Sequence, residues 1–89
     1  MDMKNLVEVL LFATPEPLTQ SRFNQIIQDE DSVELASIIK KLNSEYKKSG
    51  KGLNIQKIGG GYQILSLPEF HVFIERLFKR TRKLQLSRP

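Results

Sequence analysis

The sequence predicts an α+β domain that is mostly helical and has the layout of a winged helix. Three amphipathic helical patterns come first in the chain. Two short apolar runs then flank three consecutive glycines within residues 53–67, a pattern typical of a β-hairpin. A fourth helical pattern follows. This order predicts three helices, a hairpin wing at 53–67 and a C-terminal helix.

The first two helices are predicted from their ends as much as from their apolar faces. The first runs from about Met3 to Ala13, where Asp2 can cap it and Pro15 stops it. Its wide apolar face carries Met3, Leu6, Val7, Val9, Leu10 and Ala13. Thr19 is a good N-cap for a second, short helix.

The third and fourth helices are predicted from longer apolar stripes. Asp31 and Glu34 fit a capping box at the start of the third helix. Its apolar arc consists of Leu35, Ile38, Ile39, Leu42 and Tyr46. Pro68 is well placed to begin the fourth helix. The stripe of that helix consists of Phe70, Phe73, Ile74, Leu77 and Phe78, with Val72 on the opposite side.

Two registers are open for the hairpin. A two-residue loop at Gly59-Gly60 leaves on the second face Ile58, Leu65 and Leu67. A three-residue loop instead groups on one face Leu53, Ile55, Leu65 and Leu67. The two registers exclude each other, because a slip by one residue turns every side chain to the other face. In either register, apolar residues remain on a face that a solvated hairpin would fill with polar ones.

The composition argues against an enzyme. The 89 residues form one domain with no cysteine and a single histidine, His71, which excludes disulfides, thiolate metal sites and multi-histidine sites. No nucleophile has a base partner, so we expect no catalytic residue, cofactor or metal. The glycine triplet leads into a second strand rather than a helix, which favours a turn over a phosphate cradle. Without a signal segment or a long apolar run, the expected location is the cytoplasm, with no membrane contact.

The net charge of +4 raises the alternative of a winged-helix DNA-binding transcriptional regulator. Against it, residues 29–34 place four carboxylates at the end of the third helix that would enter the major groove. The wing tip is also uncharged. A basic run near the C-terminus could contact phosphate or an acidic partner, or could be a solvated linker: Lys79, Arg80, Arg82 and Lys83. We therefore divide the chain into a winged-helix domain, residues 1–79, and a basic linker, residues 80–89, leading to a second domain.

Apolar residues left outside the predicted core are candidates for a protein interface. Singly exposed apolar residues are common, but several in so small a domain favour a partner. The candidates are Phe12, Ile58, Leu65, Leu67 and Val72.

Four short segments, in order and at matching spacing, resemble the segregation and condensation protein B family. They are the residues 10–13 with 16–19, the stretch 52–62, Pro68-Glu69-Phe70, and the closing residues 86–89. The resemblance covers nearly the whole chain but only the first half of a family member. Leu65 and Leu67 depart from it, since family members often place polar or basic residues there.

The resemblance implies two tandem winged-helix domains in the full protein. It also implies a non-enzymatic subunit of a bacterial condensin, acting in chromosome condensation and segregation in the cytoplasm, at the nucleoid. The expected partners are a second copy of the chain, the kleisin subunit (ScpA-like) and, through it, the SMC ATPase, with DNA contacted only indirectly or weakly. Under this reading the fragment is a dimerisation and protein-interaction module.

Overall fold

A computed structural model describes residues 2–28 and 33–86 of the chain, with side chains described up to residue 79. Its elements are α1 (Met3–Ala13), α2 (Gln20–Ile27), α3 (Leu35–Ser49), β1 (Leu53–Ile58), β2 (Gly61–Ser66), a 3₁₀ turn (Pro68–Phe70) and α4 (His71–Leu86). The two strands form one antiparallel sheet. This order of elements confirms the predicted mostly helical winged-helix fold.

The core lies between α1, α2, α3 and the inner face of the hairpin. All five residues of the predicted α3 arc are buried, together with Val7, Leu11, Leu18, Phe23 and Ile55. The apolar face predicted for α1 is wrong at Ala13, which is exposed, and it exchanges two other residues: Leu11 is buried and Val9 is exposed. Leu11 and Val9 lie in a nearly continuous apolar run, so the sequence pattern alone does not choose between them.

Side chains and backbone groups from neighbouring elements fix the helix ends. The Asp2 carboxylate accepts from the Lys4 amide, and the Thr19 hydroxyl accepts from the Arg22 amide, as predicted. α3 begins at Leu35, with Glu34 in the cap position but making no side-chain cap bond. Instead the Gln20 side chain accepts from the Leu35 amide at 2.6 Å. The capping box predicted at Asp31 lies outside the described residues.

The hairpin adopts the register with a two-residue loop. Ile55 pairs with Ile64 and Ile58 with Gly61, which leaves Gly59 and Gly60 as the turn. Both glycines have positive φ, 55° and 79°, as a type I′ turn requires. Leu18, in the connector after α1, forms two backbone hydrogen bonds with Tyr62 of β2. The connector is thereby attached to the free edge of β2.

We expect Gly61→Ala to destabilise the domain by about 1–3 kcal/mol, because the added methyl group overpacks a close backbone approach. A Cβ at Gly61 would stand 3.0 Å from the backbone carbonyl of Leu18 and 3.0 Å from Pro17. Gly59→Asn is the matched control, since nothing lies within 4 Å of that position and asparagine favours a type I′ turn. Urea unfolding followed by circular dichroism measures both, and equal stabilities would contradict the expectation.

α4 extends away from this core and packs mainly against the 3₁₀ turn that precedes it. The radius of gyration is 16.2 Å and the longest dimension 54 Å, whereas a compact chain of this length has a radius of about 12 Å. The helix continues to Leu86, so the backbone of residues 80–86, predicted as linker, is helical. The division into a domain and a linker stays a prediction.

Candidate protein-interaction surfaces

The first surface is an apolar stripe on the projecting helix, here called the C-terminal stripe, formed by Phe70, Phe73, Ile74, Leu77 and Phe78. Phe73 and Leu77 are each 61% exposed and Phe78 is 57% exposed. The sequence pattern predicted the stripe correctly but not its exposure. A helix with an apolar stripe normally buries it, whereas here Phe73, Leu77 and Phe78 are mostly exposed and only Ile74 is half-buried. Val72 is also exposed, on the other side of the helix.

The second surface is an apolar groove between α1 and the hairpin, of about 300 Å³. Val9, Phe12, Leu53 and Ile64 line it, with Glu8 and Lys51 alongside. Phe12 is 85% exposed, the most exposed large apolar residue of those described. The groove therefore presents Phe12 together with Val9, which belongs to the predicted apolar face of α1.

The outer face of the hairpin carries the other candidates, but not as one patch. The register turns Ile58 and Leu65 to this face and places Gln56 and Gln63 between them. Ile58 is exposed near the turn, whereas Leu65 and Leu67 are only half-buried at the base. The five predicted interface residues are thus distributed over α1, the outer hairpin face and α4.

The third surface is a groove of about 470 Å³ along the outer edge of β1, here called the α3–β1 groove. It is lined by Asn43, Lys47, Lys51, Leu53, Asn54 and Leu67. The Asn43 amide donates to the Ile55 carbonyl at 2.9 Å and accepts from the Ile55 amide at 2.8 Å. This pair of bonds fixes α3 against the edge of β1 and sets the shape of the groove. Asn43 was not predicted as a functional residue; its one signal in the sequence is a polar residue beside the apolar arc of α3.

The lysines of the groove differ in how they are held. The Lys51 ammonium lies 5.6 Å from the centroid of the Tyr46 ring, a cation–π contact. The Tyr46 hydroxyl donates to the Glu8 carboxylate of α1, and burial together with this bond raises the pKa of Tyr46. Lys47 is exposed and has no carboxylate partner among the described residues. The groove therefore carries positive charge that the described residues around it leave without an ion-pair partner.

The basic run is described only at its first residue. Lys79 lies 3.8 Å from Glu75, one turn earlier on α4, and both side chains are exposed. Such pairs contribute little. The side chains of Arg80, Arg82 and Lys83 lie outside the described residues, so their phosphate or acidic-partner contacts stay predictions.

Within 2–28 and 33–86, no group of three or more acidic, histidine or cysteine residues is placed to hold a metal ion. In those segments no helix is long and apolar enough to cross a bilayer. The features that stand out are apolar and basic surfaces suited to contacting another macromolecule.

Comparison with known proteins identifies the family. The model of the segregation and condensation complex subunit ScpB family matches residues 5–89. The chain belongs to the ScpB family. A segregation and condensation protein B homolog of Coxiella burnetii is 33% identical over 79 residues, covering 86% of this chain and 37% of the relative. The chain spans about half or less of the length of the ScpB relatives it matches.

Solved structures agree with this assignment. A conserved hypothetical protein from Chlorobium tepidum superposes with a TM-score of 0.77 at 29% identity, over 94% of this chain and 52% of that one. A dimer of a ScpB N-terminal domain complexed with a ScpA peptide gives a TM-score of 0.69 at 24% identity, over 84% of this chain and 93% of that one. At that identity the second likeness supports the fold, which is the ScpB N-terminal fold predicted from the sequence.

Proposed function

We propose that this ScpB domain acts as a non-enzymatic dimerisation and kleisin-binding module of a bacterial SMC–kleisin complex. In this role it contributes to chromosome condensation and segregation at the nucleoid, in the cytoplasm. The observation that carries the proposal is the exposed C-terminal stripe, on a domain whose fold matches a dimeric ScpB N-terminal domain. A module of this kind works by assembly, since it holds two partners in a fixed relation.

A second copy of this chain is the occupant proposed for the C-terminal stripe. A large aromatic side chain buries about 150–250 Å². On that scale, the exposed parts of the stripe and of the α1 residues Val9 and Phe12 offer on the order of 600–700 Å² per copy. A standard interface buries about 800 Å² per partner. A symmetric dimer whose interface takes in both of these surfaces would therefore approach the standard size.

The kleisin is proposed as the second partner because a ScpB N-terminal dimer of this fold has been solved with a ScpA peptide. A dimer presents each of its surfaces twice, so it can hold one kleisin segment against two copies of the domain. The SMC ATPase would then be reached through the kleisin. DNA is contacted only weakly in this arrangement.

Sedimentation equilibrium and a peptide titration test the proposal together. We expect the chain to sediment at twice its 10.3 kDa mass and to bind a labelled ScpA peptide by fluorescence anisotropy. A monomer at high concentration that also fails to bind the peptide would overturn the proposal. A specific duplex site with a steep salt dependence would favour the DNA-binding alternative instead.

A further inference from the structure

We infer that the α3–β1 groove binds an extended peptide that alternates acidic and apolar side chains. The groove is distinct from the C-terminal stripe on which the proposed dimer rests, and the inference goes beyond the proposed function by assigning a site and a ligand chemistry. It stands on three features of the groove: the edge of β1 at Leu53, an apolar floor and a basic rim.

The strand edge is the feature that selects a peptide. In an antiparallel pair, alternate residues direct both backbone polar groups away from the partner strand. The amide and carbonyl of Ile55 both bond to Asn43, so they point away from β2. The Gly52 carbonyl accepts from the Leu67 amide, so Gly52 directs its polar groups toward the partner strand. Leu53 therefore presents its amide and carbonyl to the groove. An incoming extended chain can pair with both, as in recognition by strand addition.

Apolar side chains form the floor. Leu53 is 41% exposed and Leu67 is half-buried, and both line the groove. An apolar side chain of the ligand would cover them, which contributes about 25 cal/mol per Å² of apolar surface removed from water. A highly charged, apolar-poor ligand would leave this floor exposed.

The rim determines the charge of the ligand. Lys47 and Lys51 flank the groove with no carboxylate partner in the part of the chain that the structure describes. The nearby acidic residues are engaged elsewhere, Glu8 with Tyr46 and Glu45 with Lys4. Carboxylates on an extended peptide would meet these ammonium groups at the edge of the groove. Complementary charge of this kind favours encounter and fixes the register of the bound chain.

A further polar group favours a peptide over nucleic acid. The Asn54 amide oxygen is buried beside the groove and accepts no hydrogen bond from the described residues. A buried acceptor without a donor is unfavourable. A peptide N–H entering the groove is a donor of the required kind, whereas the phosphodiester groups of a nucleic-acid backbone carry no N–H or O–H to donate.

A fluorescein-labelled peptide that alternates glutamate with leucine tests the site, using the full 89-residue chain. We expect Lys47→Glu combined with Lys51→Glu to weaken binding at least about tenfold. Lys57→Glu, a charge reversal on the hairpin away from the groove, should leave the affinity within about twofold. Sedimentation of each variant is measured first, so that loss of the dimer and loss of the peptide site are read separately.

Two further measurements identify the ligand chemistry. A peptide with serine in place of every leucine should bind at least about tenfold more weakly, because it cannot cover the apolar floor. In NMR titrations, the Leu53 and Asn54 amides should shift most. The inference is overturned if the serine peptide binds equally well, if the double variant binds normally, or if the shifts fall elsewhere. Lysine-dependent binding of duplex DNA in preference to the peptide would also overturn it.

Discussion

Phe73→Glu is expected to convert the proposed dimer into monomers. In the single chain the Phe73 ring is mostly exposed. The Arg76 guanidinium of the same helix lies 5.6 Å from the centroid of this ring. Burying it against a second copy is worth about 2 kcal/mol, and a glutamate in its place would leave an unpaired charge in the interface. Because the dimer contains the position twice, the loss is about 4 kcal/mol, or about a thousandfold in the dissociation constant.

Val72→Glu is the matched control for this substitution. Val72 lies one residue earlier on α4, is also exposed, and points away from the C-terminal stripe. Val72→Glu should leave the sedimentation of the chain unchanged, and circular dichroism should give equal helix content for both variants. If Val72→Glu dissociates the dimer and Phe73→Glu does not, the interface lies on the opposite side of α4, the side of the predicted interface residue Val72.

The sequence predicted local structure well because local rules decide it. The α3 arc from Leu35 to Tyr46 recurs with helical period and is wholly buried. Asp2 and Thr19 cap their helices because each has a free side-chain oxygen one residue before the first turn. The residue pattern was compatible with two hairpin registers. The structure adopts the one whose two-residue loop consists of the positive-φ glycines Gly59 and Gly60.

The features that the sequence did not predict are those that depend on other elements. The C-terminal stripe has the same period as the α3 arc, but periodicity does not reveal which surface, if any, covers a helix. The start of α3 depends on Gln20, fifteen residues away in the chain, rather than on its own capping residues. The Asn43 side chain likewise bonds to the backbone of Ile55 on another element, a contact that no local sequence pattern indicates.

Asn43→Ala is expected to destabilise the domain by about 2–4 kcal/mol. The amide of Asn43 satisfies both backbone groups of Ile55, a residue buried in the core at the centre of β1. Removing the side chain leaves a donor and an acceptor unpaired in a partly buried place, each at a cost of about 1–3 kcal/mol. The gain in helix propensity from alanine offsets only a few tenths of this.

Asn5→Ala separates the loss of hydrogen bonds from the gain in helix propensity. Asn5 is exposed on α1 and makes no side-chain hydrogen bond among the described residues. The same substitution there should change the free energy of unfolding by no more than about 0.5 kcal/mol. Urea denaturation of both variants gives the difference, and equal stabilities would mean that α3 does not depend on Asn43 to hold β1. Asn43 also lines the α3–β1 groove, so Asn43→Ala should weaken binding of the alternating peptide as well as the stability of the fold. Charge reversal at Lys47 and Lys51 should weaken peptide binding and leave the stability of the fold unchanged.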